Sequence, residues 1–178
     1  MSVGKSADKG AGKATTIVTN VVLAGLGGQG VIKASDILAD AALRAGLDVK
    51  KAEIHGMSQR GGSVTSDVRF GQRVLSPMVP RGEADFLVVL APSEVEVARP
   101  MLRPGGVLLS PDLVPEASLP NKRSLNVALL GALSRYVDLP TEAILDAIRA
   151  ALPERLHEVN EKAFELGRNI AARQSKIS

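Results

Sequence analysis

Apolar and polar positions along this chain recur with periods that mark out most of its elements. Residues 17–24 (Ile-Val-Thr-Asn-Val-Val-Leu-Ala) are β-branched and mostly apolar, the pattern of a buried strand. After the glycine cluster Gly25-Leu26-Gly27-Gly28-Gln29-Gly30, residues Ile32, Ile37, Leu38, Ala41 and Ala42 recur at helical spacing. They predict a helix over about residues 29–45, with Gly46 as its C′ residue. Residues 47–54 read as a second strand and 63–70 as a third. The third alternates: Val64, Ser66, Val68 and Phe70 fall on one face, Thr65, Asp67 and Arg69 on the other, which predicts an antiparallel partner. Gly71-Gln72 reads as a hairpin turn into residues 73–76, which Pro77 and Pro80 end.

The second half continues the pattern. Residues 86–90 form a central apolar strand, and Ser93 with Glu96 fits a capping box for a short helix to about Met101. Residues 107–110 are another buried strand, and 111–120 are loop-like. A helix is expected over residues 126–137. A second starts at Pro140 in the first helical position and is broken by Pro153. Leu156, Val159, Ala163, Leu166 and Ile170 mark one face of a last helix. The fold class is therefore α/β: a Rossmann-like three-layer domain with a mixed, mainly parallel sheet and C-terminal helices.

Composition narrows the function classes. With 178 residues and 45% hydrophobic content the chain makes one domain, read as residues 17–178. Residues 1–16 are rich in Gly, Ala, Ser and Lys and lack an apolar signal region, so they are expected to be a disordered tail. No run of 18 apolar residues predicts membrane insertion. The absence of cysteine removes disulfides and thiolate ligation of an iron–sulfur cluster by this chain. Only His55 and His157 are present, far apart in sequence, which argues against a histidine metal site; His157 reads as structural or surface, and Met57 and Met78 as packing residues. A pI of 9.4 suggests nucleic acid, but Lys5, Lys9 and Lys13 against Asp8 place +2 of the net +3 in the tail. Aromatic residues are only 2% of the chain, so base-stacking platforms are scarce and nucleic acid is not expected.

Two stretches carry candidate chemistry. Gly25, Gly27 and Gly30 satisfy G-x-G-x-x-G between a strand and a helix, where backbone N–H groups and the helix dipole attract a pyrophosphate. Gly25, Gly27, Gly28, Gln29 and Gly30 are the expected cofactor-binding residues; a tight turn without a ligand is the alternative. For NAD an acid should end the second strand, and Glu53 is only approximately placed. The second stretch, residues 53–71, puts His55, Gln59, Arg60 and the glycines Gly56, Gly61 and Gly62 between two strands. Such a loop lets backbone approach another surface while an arginine fork reaches a phosphate or carboxylate. Gly4-Lys5-Ser6 lacks the strand a P-loop requires, and no thiamine-binding Gly-Asp-Gly motif with its paired asparagines occurs.

These residues together resemble the gamma subunit, or gamma domain, of the 2-oxoacid:ferredoxin (acceptor) oxidoreductases. The matching runs are Gly25-Leu-Gly-Gly-Gln-Gly30, Glu53-Ile-His-Gly-Met-Ser-Gln-Arg-Gly-Gly-Ser63, Ser76-Pro-Met-Val-Pro80, Gly82-Glu-Ala-Asp85 and Asn160…Ala163-Phe-Glu-Leu-Gly167. The His-Gly-Met-Ser-Gln-Arg-Gly-Gly run is most similar to the beta subunit of indolepyruvate oxidoreductases. Ala91-Pro-Ser-Glu94 departs from relatives with an acid before the proline, and the N-terminal tail is longer. The resemblance implies a gamma-type catalytic domain that is inactive alone. Its complex would oxidise a 2-oxoacid, with an aryl pyruvate such as indolepyruvate favoured, to acyl-CoA and CO₂. It implies coenzyme A as a contact, with thiamine diphosphate, Mg²⁺ and iron–sulfur clusters on partner subunits and ferredoxin or another acceptor reached through them. His55, Ser58, Gln59, Arg60, Gly61, Gly62 and Ser63 would face the partner or coenzyme A, in a cytoplasmic complex. Rival readings are a free-standing NAD(P)-binding Rossmann oxidoreductase and a purely structural interaction subunit.

Overall fold

The computed structural model describes residues 17–56 and 61–174. The expected tail, residues 1–16, lies outside these residues, and so do Met57, Ser58, Gln59 and Arg60. Strands β1 (Val18–Leu26), β2 (Asp48–His55), β3 (Ser63–Gly71), β4 (Ala84–Val89) and β5 (Leu102–Leu109) form one sheet in the order β2-β3-β1-β4-β5. β1, β4 and β5 are parallel neighbours, while β3 runs antiparallel between β2 and β1. Four of the five strands therefore point the same way, as the apolar runs predict.

Alternation along each strand splits the core in two. Val21, Leu23, Val68, Phe70, Val88 and Leu109 face a thick helical layer made by α1 (Val31–Arg44), α3 (Leu125–Leu133), α4 (Thr141–Ala151) and α5 (His157–Gln174). Val22, Ala24, Leu87 and Val89 face a thin layer formed by α2 (Val95–Ala98), its flanking 3₁₀ turns and the segment carrying Val79. Helix α3 is buried on all sides, so its sequence is apolar throughout rather than amphipathic. It crosses α5 at two glycines. A Cβ on Gly131 would lie 2.8 Å from the Phe164 carbonyl carbon, and one on Gly167 2.7 Å from that of Ala128.

The structure corrects several local expectations. Residues 73–76 form no strand, because side chains take the backbone groups a hairpin would pair. Val74 N–H donates to Asp48 Oδ2 (2.7 Å) and Val79 N–H to Asp67 Oδ2 (2.8 Å); Arg69 donates to the carbonyls of Ser76 and Met78 (3.0 and 3.1 Å). Met78 is exposed rather than packed. The capping box at Ser93 does not form. The chain enters α2 through a 3₁₀ turn at Pro92–Glu94, Glu94 turns its carboxylate to Ser63, and Glu96 pairs with Arg99. Pro140 is the N-cap of α4, one residue before the expected place. The buried face of α5 is Asn160, Ala163, Phe164, Gly167 and Ala171, so the expected apolar stripe lies partly to its side.

Candidate functional site: a glycine turn, a basic cleft and the loop beside them

The strand order decides where a site can form. β1 leads through α1, on the thick face, toward β2; β4 leads through α2, on the thin face, to β5. The chain thus departs in opposite directions from neighbouring parallel strands, and the crevice at their carboxyl ends is where open α/β sheets bind ligands. The glycine turn sits there. Gln29 N–H donates to Leu26 O (3.1 Å), and the Gln29 side chain folds back to accept from Leu26 N–H at 2.7 Å. Gly28 and Gly30 have φ of 88° and 83°, left-handed values that cost a side chain strain. Gly30 is the N-cap of α1, which has no side-chain cap and no acidic residue in its first turn. The N–H groups there are left to a ligand or water, at the positive end of the helix dipole.

A cleft of about 480 Å³ opens beside this turn. Gly28, Gln29 and Gly30 form one wall, and Lys122 and Arg123, from the turn before α3, are on the other. Leu90, just past β4, Leu125 and Asn126 complete it, and among the described residues no carboxylate lines it. Asn126 Nδ2 donates to Gly30 O (3.3 Å), which ties the start of α3 to the start of α1. Lys122 forms an ion pair with Glu116, whose hydrogen bond raises the lysine pKa and keeps it charged. An apolar groove of about 540 Å³ continues from the cleft past Leu90, Pro92, Val114, Leu119 and Leu125, with Asp112 and Glu116 also on it.

The expected glycines divide between two tasks. Gly28, Gln29 and Gly30 line the cleft. Gly25 does not: it lies within β1, and a Cβ there would meet Val31 at 2.9 Å and Leu90 at 3.0 Å, so its small size seats α1 on the sheet. Gly27 is also turned away, toward the loop between β2 and β3. Its N–H donates to Gly62 O (2.9 Å), and its Cα faces Gly61.

Topology places that loop here. Antiparallel β3 starts opposite the end of β1, with Ser63 paired to Leu26, so the loop before it reaches the glycine turn. Ser63 Oγ donates to Glu94 Oε2 at 2.6 Å, and Gly56 N–H donates to Ser63 O at 2.8 Å. Glu94 is only 8% exposed. His55 ends β2 with its ring largely in solvent, 3.6 Å from Glu53. Ser58, Gln59 and Arg60 are outside the described residues. Glu53 belongs to a charge network with Lys51 and Asp36. Burial alone would lower the Lys51 pKa, but its hydrogen bonds to Asp36 and Glu53 outweigh this and raise it. The bond to Lys51 in turn holds Glu53 below the usual carboxylate range. Because β3 separates β2 from β1, Glu53 lies two strand spacings, roughly 10 Å, from the glycine strand. That is a poor place from which to bind the ribose of a dinucleotide seated on the turn.

Lys122, Arg123, Asn126 and Glu94 were not singled out in the sequence. A basic pair just before an apolar helix was the available signal for the first two. His157 has a structural place: Nε2 lies 2.9 and 2.8 Å from the carbonyls of Arg149 and Leu152, so this nitrogen carries the proton and closes the end of α4. Among the described residues no three His, Asp or Glu side chains gather to hold a metal ion, and no helix is long and apolar enough to cross a membrane.

Comparison with known proteins agrees with this architecture. Residues 20–120, more than half of the chain, match the family described as pyruvate ferredoxin/flavodoxin oxidoreductase. The chain is 35% identical to indolepyruvate oxidoreductase subunit IorB of Thermococcus kodakarensis, over 83% of this chain and 93% of that protein. It is 30% identical to the common gamma subunit of the pyruvate/ketoisovalerate oxidoreductases of the same organism, over 79% and 90%. The solved gamma subunit of a keto/oxoacid ferredoxin oxidoreductase from Geobacter sulfurreducens superposes with a TM-score of 0.74 at 27% identity, over 87% of this chain and 99% of that one. A 2-oxoglutarate:ferredoxin oxidoreductase from Magnetococcus marinus, solved with 2-oxoglutarate, coenzyme A and succinyl-CoA, shares the fold at 21% identity with a TM-score of 0.73; this chain covers 31% of it. The glycine turn, the loop pinned beside it and these matches lead to one assignment: the chain belongs to the pyruvate ferredoxin/flavodoxin oxidoreductase family, and its relatives are subunits of 2-oxoacid oxidoreductases.

Proposed function

We propose that the chain is a non-autonomous subunit of a 2-oxoacid:acceptor oxidoreductase and that its glycine cleft binds the diphosphate of coenzyme A. The observation that carries this is the carboxylate-free cleft, in which the uncapped start of α1 faces Lys122 and Arg123. Backbone donors at a helix N-terminus bind a diphosphate without strain, and two cations add charge-assisted hydrogen bonds. The apolar groove leading from the cleft suits the uncharged arm that ends in the thiol. Similarity to the IorB subunits supports an aryl pyruvate such as indolepyruvate as the oxoacid. Thiamine diphosphate with Mg²⁺ supplies the decarboxylation chemistry, and iron–sulfur clusters pass electrons to ferredoxin or another acceptor; both reside on partner subunits. This chain has no cysteine with which to hold a cluster. In this reading His55, Ser58, Gln59, Arg60, Gly61, Gly62 and Ser63 face those partners. Residues 17–178 act as one domain in a cytoplasmic complex.

One observation favours a purely structural subunit instead: Gln29 and Gly62 already satisfy the N–H groups of Leu26 and Gly27. The two readings part in one experiment. In the complex isolated from its native source, Lys122→Gln and Arg123→Gln should each raise KM for coenzyme A about tenfold, the effect of losing one charge-assisted hydrogen bond. KM for the oxoacid should hold. Unchanged coenzyme A constants in both variants would leave only the structural role.

A further inference from the structure

Arg123 stands between the glycine cleft and a second cavity of about 250 Å³, which lies between the starts of α3 and α5. Arg123 and Arg155 both line this cavity, and among the described residues no carboxylate does. Neither guanidinium has a hydrogen bond or ion pair among the described residues. The cavity also holds Asn126 and Asn160, each 8% exposed and each fixed by its own amide: Asn126 Nδ2 donates to Gly30 O at 3.3 Å, and Asn160 Nδ2 to Leu156 O at 2.8 Å. Two uncompensated arginine forks on a preset polar wall suit a phosphate monoester, which each fork can grip in a bidentate manner.

The three compartments are contiguous. Arg123 and Asn126 line both the small cavity and the cleft; Leu90, Lys122 and Leu125 line both the cleft and the apolar groove. Charge runs in one direction along them. The groove end carries carboxylates, Asp112 and Glu116, with Glu116 paired to Lys122, and it disfavours a further anion. The far end carries only cations. A matching ligand has an uncharged arm, a central diphosphate and, on its other side, a separate phosphate on a ribose. A dinucleotide without that third phosphate would leave Arg155 unused.

We propose that Arg155, together with Arg123, forms the subsite for the 3′-phosphate of coenzyme A, and that this subsite makes the protein select coenzyme A over its 3′-dephospho form. The proposal rests on the reading of the glycine cleft given above. It also makes Arg155 a specificity residue, lying beyond the glycine motif and the loop of residues 56–62.

The test uses the complex isolated with its partner subunits. KM is measured for coenzyme A and for 3′-dephospho-coenzyme A in wild type, Arg155→Gln and Lys122→Gln. Wild type should prefer coenzyme A by about tenfold or more, the scale of one charge-assisted hydrogen bond. Arg155→Gln should remove that preference by raising the coenzyme A constant alone, with the melting temperature unchanged because the side chain is exposed and has no partner among the described residues. Lys122→Gln should raise both constants together. Equal wild-type constants, or an Arg155→Gln effect of the same size on both ligands, would overturn the subsite while a Lys122→Gln effect still supports the cleft. No effect of Lys122→Gln on either ligand would overturn the cleft reading and the subsite with it. NADPH also carries a ribose phosphate. If NADPH competes with coenzyme A at its KM and NADH does not, the assignment to coenzyme A falls.

Discussion

Substituting Gly167 by alanine tests the closest packing in the molecule. The added methyl would lie 2.7 Å from the carbonyl carbon of Ala128 and 3.0 Å from the amide nitrogen of Ala132. The carbonyl oxygen of Ala128 is nearer still, and carbon contacts are ordinary at about 3.5–4.0 Å, so α3 and α5 must separate by more than about 1 Å. The obstructing atoms are helix backbone and cannot rotate away. Ala128, Leu129 and Ala132 on α3 and Phe164 on α5 are fully buried, so separation loosens contacts along the whole helix pair. Overpacking of this kind costs typically about 1–3 kcal/mol and sometimes more. The better helix propensity of alanine returns about 1 kcal/mol at most. With rigid backbone as the obstacle the cost falls at the top of that range, and the net loss of about 2 kcal/mol lowers the melting temperature by roughly 4–8 °C in a domain of this size. Thermal unfolding of the full chain followed by circular dichroism measures it. Gly131→Ala should behave alike, since its methyl meets the Phe164 backbone at 2.8 and 3.0 Å. One separation relieves both clashes, so the double variant should lose much less than the sum of the two. If Gly167→Ala melts at or above the wild-type temperature, propensity has won and the two helices do not touch through these glycines.

Asp67, 1% exposed, has its carboxyl pKa raised by burial against the hydrogen bond from Val79, and its Oδ1 has no partner among the described residues. A raised folded-state pKa means that stability is full below the unfolded value and falls as pH rises through the folded one. Asp67→Asn keeps an acceptor for Val79 and cannot ionise; its melting temperature relative to wild type should therefore climb from pH 4 to 7, and a flat difference would refute the assignment. Gly27→Ala should leave KM for coenzyme A unchanged, because its Cβ would point at Gly61 N from an unstrained 3.5 Å rather than into the cleft; a raised KM would return Gly27 to the ligand. Arg60→Ala should cost about 2–5 kcal/mol of complex affinity if the arginine pairs across a desolvated interface. Arg60→Lys should recover only part, and losses within about 0.5 kcal/mol in titrations of the partner would mark an exposed side chain.

The turn and its helix were legible because their signals are local. A β-branched run, spaced glycines and a helical apolar period sit within one stretch, and β1, Gly30 and α1 follow from it. The alternation in β3 likewise revealed an antiparallel strand, though not that it would insert beside β1 and carry the loop to the turn. Lys122 and Arg123 were illegible as site residues because only the tertiary course of the chain brings them opposite Gly28. The Asn160…Gly167 run shows the reverse. It helped to identify the family, yet its glycine and buried asparagine work in helix packing, and their partners lie on α3 and at the end of the preceding 3₁₀ turn.

The division of the glycine motif carries a mechanical consequence. Gly27 gives its N–H to Gly62, while the neighbouring Gly28 and Gly30 hold left-handed backbone that opens the first turn of α1 to the cleft. Ser63, one residue past Gly62, is fastened to buried Glu94, which follows β4 and Leu90, the residue just past that strand that lines the same cleft. Two hydrogen bonds, at 2.9 and 2.6 Å, thus join the base of the loop between β2 and β3 to the frame of the glycine cleft from both sides. Packed backbone at this spacing transmits displacement rather than absorbing it. A ligand that shifts the glycine turn would pull on the loop stem through these two bonds. If ligand binding changes affinity for a partner that holds the stem, that partner changes affinity at the cleft by the same factor, which titration of the ligand with and without the partner measures.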